Sequence, residues 1–380
     1  MIARQDAVLL SGATGFVGAA LLARYLDQTD RPVVALVRAG TAADADARLR
    51  GLLHELYDQR TAQTHAARCT AVASDLQRPR LGLGPGDREH IARACSEAVH
   101  CAASVTFDLP LPEARAINTS GVRRVAQLAE LCTILGDGLD RFAHVSTAFV
   151  AGDREGTFDE LDKQGGAGFR NTYEQTKHEA EELLRERPKP LPVQILRPSI
   201  VVGSRVSGWT RAFNVLYWPL QMFAHGRLPV VPARASSPVD VVPVDYVADA
   251  IVALRSVGPG TYHLVAGEHA TTVSGVIDLA SQRFGVAPPR LLDPASVDMH
   301  GVPDEGLSTA QARALQRARV YFPYFGLRVR FKDTVTRAVL EPRGVRTEPL
   351  ARYFDVLMDY AERARWGRSP LTPRELATAA

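Results

Sequence analysis

The chain reads as an α/β protein: a doubly wound, mostly parallel sheet with a smaller, mostly helical C-terminal part. Three observations predict this. Short apolar runs alternate with helical stretches from Ala7 to Arg197, and such alternation implies parallel strands with helices on both faces of the sheet. A glycine-rich turn, Gly12-Ala13-Thr14-Gly15-Phe16-Val17-Gly18, follows the first apolar run directly. After Gly203 the alternation gives way to Ser207–Pro232, dense in aromatic and large apolar residues and broken by Pro219, Gly226 and Pro229.

Taken in order, Ala7 to Ser11 is a buried strand, and the glycine turn leads into a helix from about Gly15 to Asp27. Pro32 opens a second apolar run, Val33 to Val37, which ends at Arg38. Strand, turn, helix and strand in this succession are the setting that a phosphate-binding glycine turn needs. A helical stretch from Thr41 to about Tyr57 precedes strands at Cys69–Ala73 and Ala98–Ala102. A helix near Asn118–Leu131, a strand at Phe142–Ser146, a helix over 172–186 and a strand at Val193–Arg197 continue the series. Val241–Leu254 and Tyr262–Ala266 return to it later. Residues 1–205, with returning elements at about 240–268, are therefore expected to form a Rossmann-type dinucleotide-binding domain, and 206–239 with 269–380 a substrate-binding C-terminal part. Near the end, Leu350, Tyr353, Phe354, Leu357, Ala361 and Ala364 mark one face of an amphipathic helix, expected to pack on its own domain.

Composition excludes several classes. The 380 residues are 46% hydrophobic and 23% charged with a net charge of +3, and the basic residues are scattered, so nucleic acid is not an expected partner. Cys69, Cys95, Cys101 and Cys132 show no CxxC and no metal-ligand spacing, and they read as small buried apolar residues; no metal is expected. No basic-then-apolar leader opens the chain and no run of 18 apolar residues occurs, so the expected location is the cytoplasm. Peripheral membrane contact through 209–223 or the terminal helix stays open.

Within the turn, Gly12 suits the tight bend, Gly15 the close approach of backbone to phosphate, and Gly18 the packing of helix on strand. The amides of Phe16 and Val17 and the helix dipole then face a pyrophosphate, with Thr14 beside it. Arg38 lies 20 residues beyond Gly18, where an acidic side chain would bind the adenosine 2′-hydroxyl in an NAD enzyme. A guanidinium there clasps a 2′-phosphate instead, and no Asp or Glu follows until Asp44, so NADPH is the expected cofactor. Asp75 and Leu76, after the third strand, are expected at the adenine.

Tyr173-Glu174-Gln175-Thr176-Lys177 supplies the chemistry. With 10 tyrosines and four lysines in the chain, about 0.1 such Tyr-x-x-x-Lys pair is expected by chance. A phenol ordinarily loses its proton near pH 10. An ammonium at i+4 favours the phenolate and tunes the tyrosine as an acid or base. Lys177 can also hydrogen-bond the nicotinamide ribose. Ser146 and Thr147 end an apolar strand and offer hydroxyls to a substrate oxygen, and Asn118 is placed to order a water next to Lys177.

Together these residues resemble the extended short-chain dehydrogenases/reductases, and more closely their fatty acyl-CoA reductase and thioester reductase branch. Leu36-Val37-Arg38, Ser74 to Leu83, His100 to Asp108, His144 to Val150, Asn171-Thr172-Tyr173 and Leu196 to Val201 carry the resemblance. Gly208-Trp209, Gly226-Arg227-Leu228-Pro229 and Asp240 to Asp245 favour the bacterial fatty acyl reductases. It runs from about residue 7 to 266, with a weaker echo at Tyr321-Phe322-Pro323-Tyr324-Phe325. Ser74 and Phe149 depart from it, standing where glycine and tyrosine are common, and no proline closely precedes Gly208.

The resemblance implies an acyl thioester substrate, on coenzyme A or an acyl carrier protein, reduced to an aldehyde or onward to an alcohol. It assigns Ala102, Ala103, Pro198, Ser199, Ile200 and Val201 to the cofactor. The aromatic segment suggests Trp209, Phe213, Leu216 and Tyr217 for the acyl tail, with Ser146 at the carbonyl. Two alternatives remain: an NADP-dependent alcohol or sterol dehydrogenase or sugar-nucleotide epimerase of the extended short-chain type, and an NADP-sensing protein without turnover.

Overall fold

The computed structural model describes residues 6–162, 166–213, 215–294 and 321–378, together with Thr309 and Gln316. Strands β1 (Ala7–Ser11), β2 (Val33–Arg38), β3 (Cys69–Ser74), β4 (Cys95–His100) and β5 (Arg141–Val145) are followed by the short β6 (Gly156–Phe158), then β7 (Val193–Pro198) and β8 (Ile200–Val202). The series continues with β9 (Val230–Pro232), β10 (Pro238–Val239), β11 (Val241–Pro243) and β12 (Gly260–Leu264). Seven of these form one sheet in the order β12-β7-β5-β4-β1-β2-β3, with every neighbouring pair parallel. The order reverses between β1 and β4, and ligands of such sheets bind at that switch, beyond the C-terminal strand ends.

Both faces of the sheet are covered, and β1 shows how. Val8 and Leu10 face one core with Leu21 and Leu22 of α1 (Phe16–Gln28), Leu49 and Leu53 of α2 (Ala42–Leu56), and Val247 and Ile251 of a later helix, Val244–Ala253. Ala7 and Leu9 face the opposite core, with Ile91, Val122, Val125, Leu128 and Leu184 from the helices Pro85–Ala94, Leu111–Leu135 and Thr172–Arg185. A continuous apolar strand is what burial on two faces demands.

Some boundaries differ from those read in the sequence. β4 starts at Cys95 rather than Ala98, because Glu97 is buried inside it. Its carboxylate is held by Arg31 at 2.6 Å, Arg141 at 2.9 Å, Arg255 at 3.0 Å and the Tyr25 hydroxyl. The helix expected near Asn118–Leu131 extends over Leu111–Leu135, since Pro110 and Pro112 are tolerated at a helix start. Val241–Leu254 resolves into β11, which pairs in parallel with β8, and the helix Val244–Ala253.

A third core fills the C-terminal part. Leu216, Tyr217, Leu220 and Phe223 pack there with Phe354, Leu357, Met358 and Ala361 of the helix Phe354–Arg363, so the amphipathic face of that helix is covered within the chain. Most of residues 295–320, which the sequence reading assigned to this part, lie outside the described residues. A fourth core at the rim joins Phe149, Val150 and Phe158 to Tyr324, Leu327, Val329 and Phe331. Among the described residues no helix is long and apolar enough to cross a membrane.

Candidate active site

A cavity of about 530 Å³ opens over the C-terminal ends of β1, β4, β5 and β7. One side is the glycine turn. Gly12 has φ +80°, and a Cβ there would lie 2.6 Å from the Ala102 amide nitrogen. A Cβ on Gly18 would lie 2.0 Å from the Gly12 carbonyl oxygen. Neither position admits another residue without moving backbone. The amide of Gly15 donates to the Gly12 carbonyl at 2.9 Å, and no side chain caps the α1 start, which carries no acidic residue in its first turn. The leading amides of α1 therefore stay free for an anion.

Gly12, Thr14, Gly15, Phe16, Val17 and Gly18 line the cavity on this side, and Arg38, Asp75 and Leu76 line its far end. Arg48, which the sequence reading missed, lines it too, and its guanidinium donates to the Arg38 carbonyl. The signal was available: position 48 lies on the exposed side of α2, the helix that follows β2. Ala102 and Ala103 form the floor beyond β4, and Pro198, Ser199, Ile200 and Val201 form the wall beyond β7. This donor set, with free helix amides at one end and two guanidinium groups at the other, fits a nicotinamide dinucleotide.

Thr147, Tyr173 and Lys177 all line the cavity. Thr147 lies two residues beyond the end of β5; Tyr173 and Lys177 stand one turn apart near the start of the helix Thr172–Arg185, which Asn171 caps by accepting from the Glu174 amide at 3.0 Å. Burial pushes the Tyr173 phenol above its ordinary value, and a hydrogen bond with Thr147 only partly offsets this. Tyr173 is thus held protonated, whereas the spacing alone suggested an ammonium favouring the phenolate. The reason is geometric: the Lys177 ammonium donates to the Val145 carbonyl at 2.7 Å and lies 3.4 Å from His144 Nε2. Burial also lowers Lys177 to about 8, with Cys101 and Glu181 acting the other way.

Beneath the lysine runs a buried polar row, Ser11, His100 and His144, on adjacent strands in register. Ser11 Oγ and His100 Nδ1 share a 2.6 Å hydrogen bond, and the two imidazoles stack at 5.5 Å. Burial holds both rings neutral, bringing His100 down to about 3. His100 Nε2 and His144 Nδ1 have no hydrogen-bond partner among the described residues.

Other expected site residues sit elsewhere or act differently. Asn118 does not line the cavity: it accepts from the Ser104 amide at 2.8 Å and donates to the Ser104 carbonyl and the Thr176 hydroxyl, both at 3.0 Å. It ties the loop after β4 to the Tyr173 helix. Ser146 lines the cavity, yet its hydroxyl donates at 2.5 Å to the buried Glu181 and is not free for a substrate oxygen. Trp209, Phe213, Leu216 and Tyr217 are core side chains: Trp209 meets Phe16 edge-on, Phe213 stacks on Tyr360, and the Tyr217 hydroxyl accepts from the Gly203 amide at 2.9 Å. Among the described residues of that segment, Ala212 and Val215 line the cavity. Val105, Phe107, Phe149 and Tyr324 supply its apolar end instead. Among the described residues no cluster of His, Cys, Asp or Glu could hold a metal ion.

Residues 10–251 match the family described as male sterility protein, and the chain belongs to that family. It is 34% identical over 281 residues to an isonitrile lipopeptide synthase of Streptomyces coeruleorubidus, covering 70% of this chain and 18% of the synthase. It is 29% identical over 288 residues to the fatty acyl-CoA reductase wat of Drosophila melanogaster, covering 67% of this chain and 54% of that protein. Human fatty acyl-CoA reductase 1 is 30% identical over 278 residues, covering 64% of this chain and 53% of the human protein. The chain thus spans about half the length of the fatty acyl-CoA reductases it matches and less of the synthase. The terminal R domain from the myxalamid PKS-NRPS biosynthetic pathway superposes with a TM-score of 0.81 at 25% identity, over 97% of this chain and 94% of that one. The reductase domain of a nonribosomal peptide synthetase from Mycobacterium tuberculosis shares the fold, with a TM-score of 0.71 at 22% identity, over 95% of this chain and 92% of that one.

Proposed function

We propose that the protein is an NADPH-dependent reductase of acyl thioesters, carried on coenzyme A or an acyl carrier protein, giving an aldehyde or, by a second round, an alcohol. What supports this reading is that Thr147, Tyr173 and Lys177 line one cavity together with the glycine turn. The names of its relatives, fatty acyl-CoA reductases among them, support the substrate class.

When bound, the nicotinamide cofactor supplies the hydride. The chain's part is to hold the carbonyl and manage its charge. The Thr147 hydroxyl and the protonated Tyr173 phenol converge on one carbonyl oxygen and stabilise the negative charge that develops on it. Tyr173 then passes its proton to that oxygen. The buried Lys177 ammonium, one helical turn beyond Tyr173, is fixed by the Val145 carbonyl and can meet a ribose hydroxyl. The resulting hemithioacetal expels the thiol and leaves the aldehyde. Arg38 and Arg48 serve the adenosine 2′-phosphate.

Two results are expected. Arg38→Asp raises the KM for NADPH by about 10–100-fold, the range for losing charge-assisted hydrogen bonds, and changes that for NADH far less. Steady-state kinetics with both cofactors check this, and equal effects would defeat the NADPH assignment. The second concerns pH. Because burial lowers Lys177 to about 8, its ammonium is present below that pH and lost above it. Since Tyr173 stays protonated throughout, kcat/KM for the thioester should fall on the alkaline side of about pH 8. A profile flat to pH 10 would remove Lys177 from the reacting centre.

NADPH oxidation with a series of acyl-CoAs, and identification of the products, tests the function itself. Tight NADPH binding without turnover of any acyl-CoA or carrier-bound thioester would overturn it.

A further inference from the structure

We infer that Tyr324, contributed by the C-terminal part, is a specificity and positioning residue: its ring bounds the space for the acyl group, and its hydroxyl holds the start of the catalytic helix. The inference rests on the thioester reading above. Beyond Tyr173 and Thr147, the cavity leaves the dinucleotide residues and ends among Val105, Phe107, Phe149, Val215 and Tyr324. Four of these carry no polar side-chain atom. The fifth, Tyr324, has its hydroxyl committed, since it donates to Glu174 Oε1 at 2.7 Å and accepts from Asn171 Nδ2 at 2.8 Å. What remains facing the ligand is a hydrocarbon wall, which suits the carbons next to a thioester carbonyl and offers nothing to a sugar or a phosphate.

The ring is fixed from two sides. It stacks on Phe107 with centroids 5.2 Å apart and meets Phe149 edge-on at 5.1 Å. Phe107 in turn lies 5.9 Å from the Tyr173 ring. A side chain so held cannot swing away from a bulky acyl group, so it sets the room beside the reacting carbon.

The hydroxyl has a second consequence. Asn171 is the N-cap of the helix that carries Tyr173 and Lys177, and Glu174 is the residue after Tyr173. Glu174 is fully buried, and its other contact is Arg170 at 3.2 Å. One phenol thus grips the residues on both sides of the Thr172-Tyr173 pair. The catalytic tyrosine is aimed partly by a residue about 150 positions away in the chain, as the Tyr324–Glu174 separation records.

The test uses Tyr324→Ala, which opens the wall, and Tyr324→Phe, which keeps the ring and removes the hydroxyl. Each is assayed with NADPH on acyl-CoAs of graded length and α-branching, and each is titrated with a fluorescent acyl-pantetheine probe. For Tyr324→Ala the ratio of kcat/KM for bulky over small acyl groups should rise by about tenfold or more, the scale on which pockets discriminate hydrocarbon. For Tyr324→Phe the acyl profile and KM should hold while kcat falls about tenfold, because the proton donor loses its aim rather than the substrate its site. A wild-type profile in the first variant, or a wild-type kcat in the second, overturns the corresponding half of the inference. If the wild-type protein reduces no thioester, the proposed function fails separately. The probe then judges the pocket: altered selectivity for acyl size in Tyr324→Ala upholds it, and unchanged selectivity overturns it. Tyr324→Leu serves if the alanine variant does not fold.

Discussion

Replacing Tyr173 by phenylalanine should lower thioester turnover by about 10²–10⁴-fold, the usual worth of a positioned proton donor, with little change in NADPH affinity. The ring's contact with Phe107 survives this change, and the glycine turn that serves the pyrophosphate lies on other elements. What is lost is one O–H at the carbonyl oxygen and the proton that quenches the oxyanion. Thr147→Val, which removes the other donor and keeps the shape, should cost about 10²–10³-fold, as for a single oxyanion donor. Both effects should appear in kcat rather than KM, since the hydrogen bonds strengthen only as charge develops. Turnover of Tyr173→Phe near the wild-type rate would remove this residue from the chemistry.

The parts of this site that were legible in the sequence are those set by local rules. In a parallel sheet every strand delivers its C-terminal residues to the same edge, so short motifs at the ends of β1, β2, β4, β5 and β7 had to converge. Gly12, Gly18, Arg38, Ala102, Thr147 and Pro198, singled out from spacing and resemblance, all line the one cavity at that edge. Distant contacts could not. Tyr324 reaches the cavity from beyond residues 295–320, and no periodicity links it to Phe107 or Phe149. The aromatic density of 209–223 misled for a related reason. Pockets and cores are both apolar, and Trp209, Phe213, Leu216 and Tyr217 pack against Phe16 and the helix Phe354–Arg363, whose position the sequence does not give. Polar residues were misjudged in the opposite sense. Ser146 and Asn118 bear groups suited to a substrate or a water, yet both spend them on protein, because a buried polar atom without a partner is costly.

Glu181 shows how such internal bonding reaches the chemistry. It is fully buried on the same helix as Tyr173 and Lys177, one turn beyond the lysine. It accepts from the Ser146 hydroxyl, from Arg197 Nε at 3.0 Å and Nη2 at 2.8 Å, and from Arg185 at 2.8 Å. Helix, β7 and the residue before Thr147 are thereby pinned at one point. Burial by itself would raise this carboxyl, but the Arg197 charge and the hydrogen bonds more than reverse that and hold it below its ordinary value. The stability it contributes is therefore full above the unfolded carboxylate pKa and lost as pH falls through the depressed one. Glu181→Leu leaves the Arg197 guanidinium buried without its anion and should destabilise the protein by about 3–5 kcal/mol, read as a lower denaturant midpoint at unchanged slope. Glu181→Leu with Arg197→Met should recover much of the loss, because two apolar side chains leave no charge stranded. A single variant as stable as wild type would mean that the pair is not the anchor its geometry describes. In Glu181→Gln, which keeps the shape and removes the charge, Lys177 loses the carboxylate that raises it. The alkaline limb of kcat/KM should then move below its wild-type position near pH 8, tying the buried ion pair to the reacting lysine.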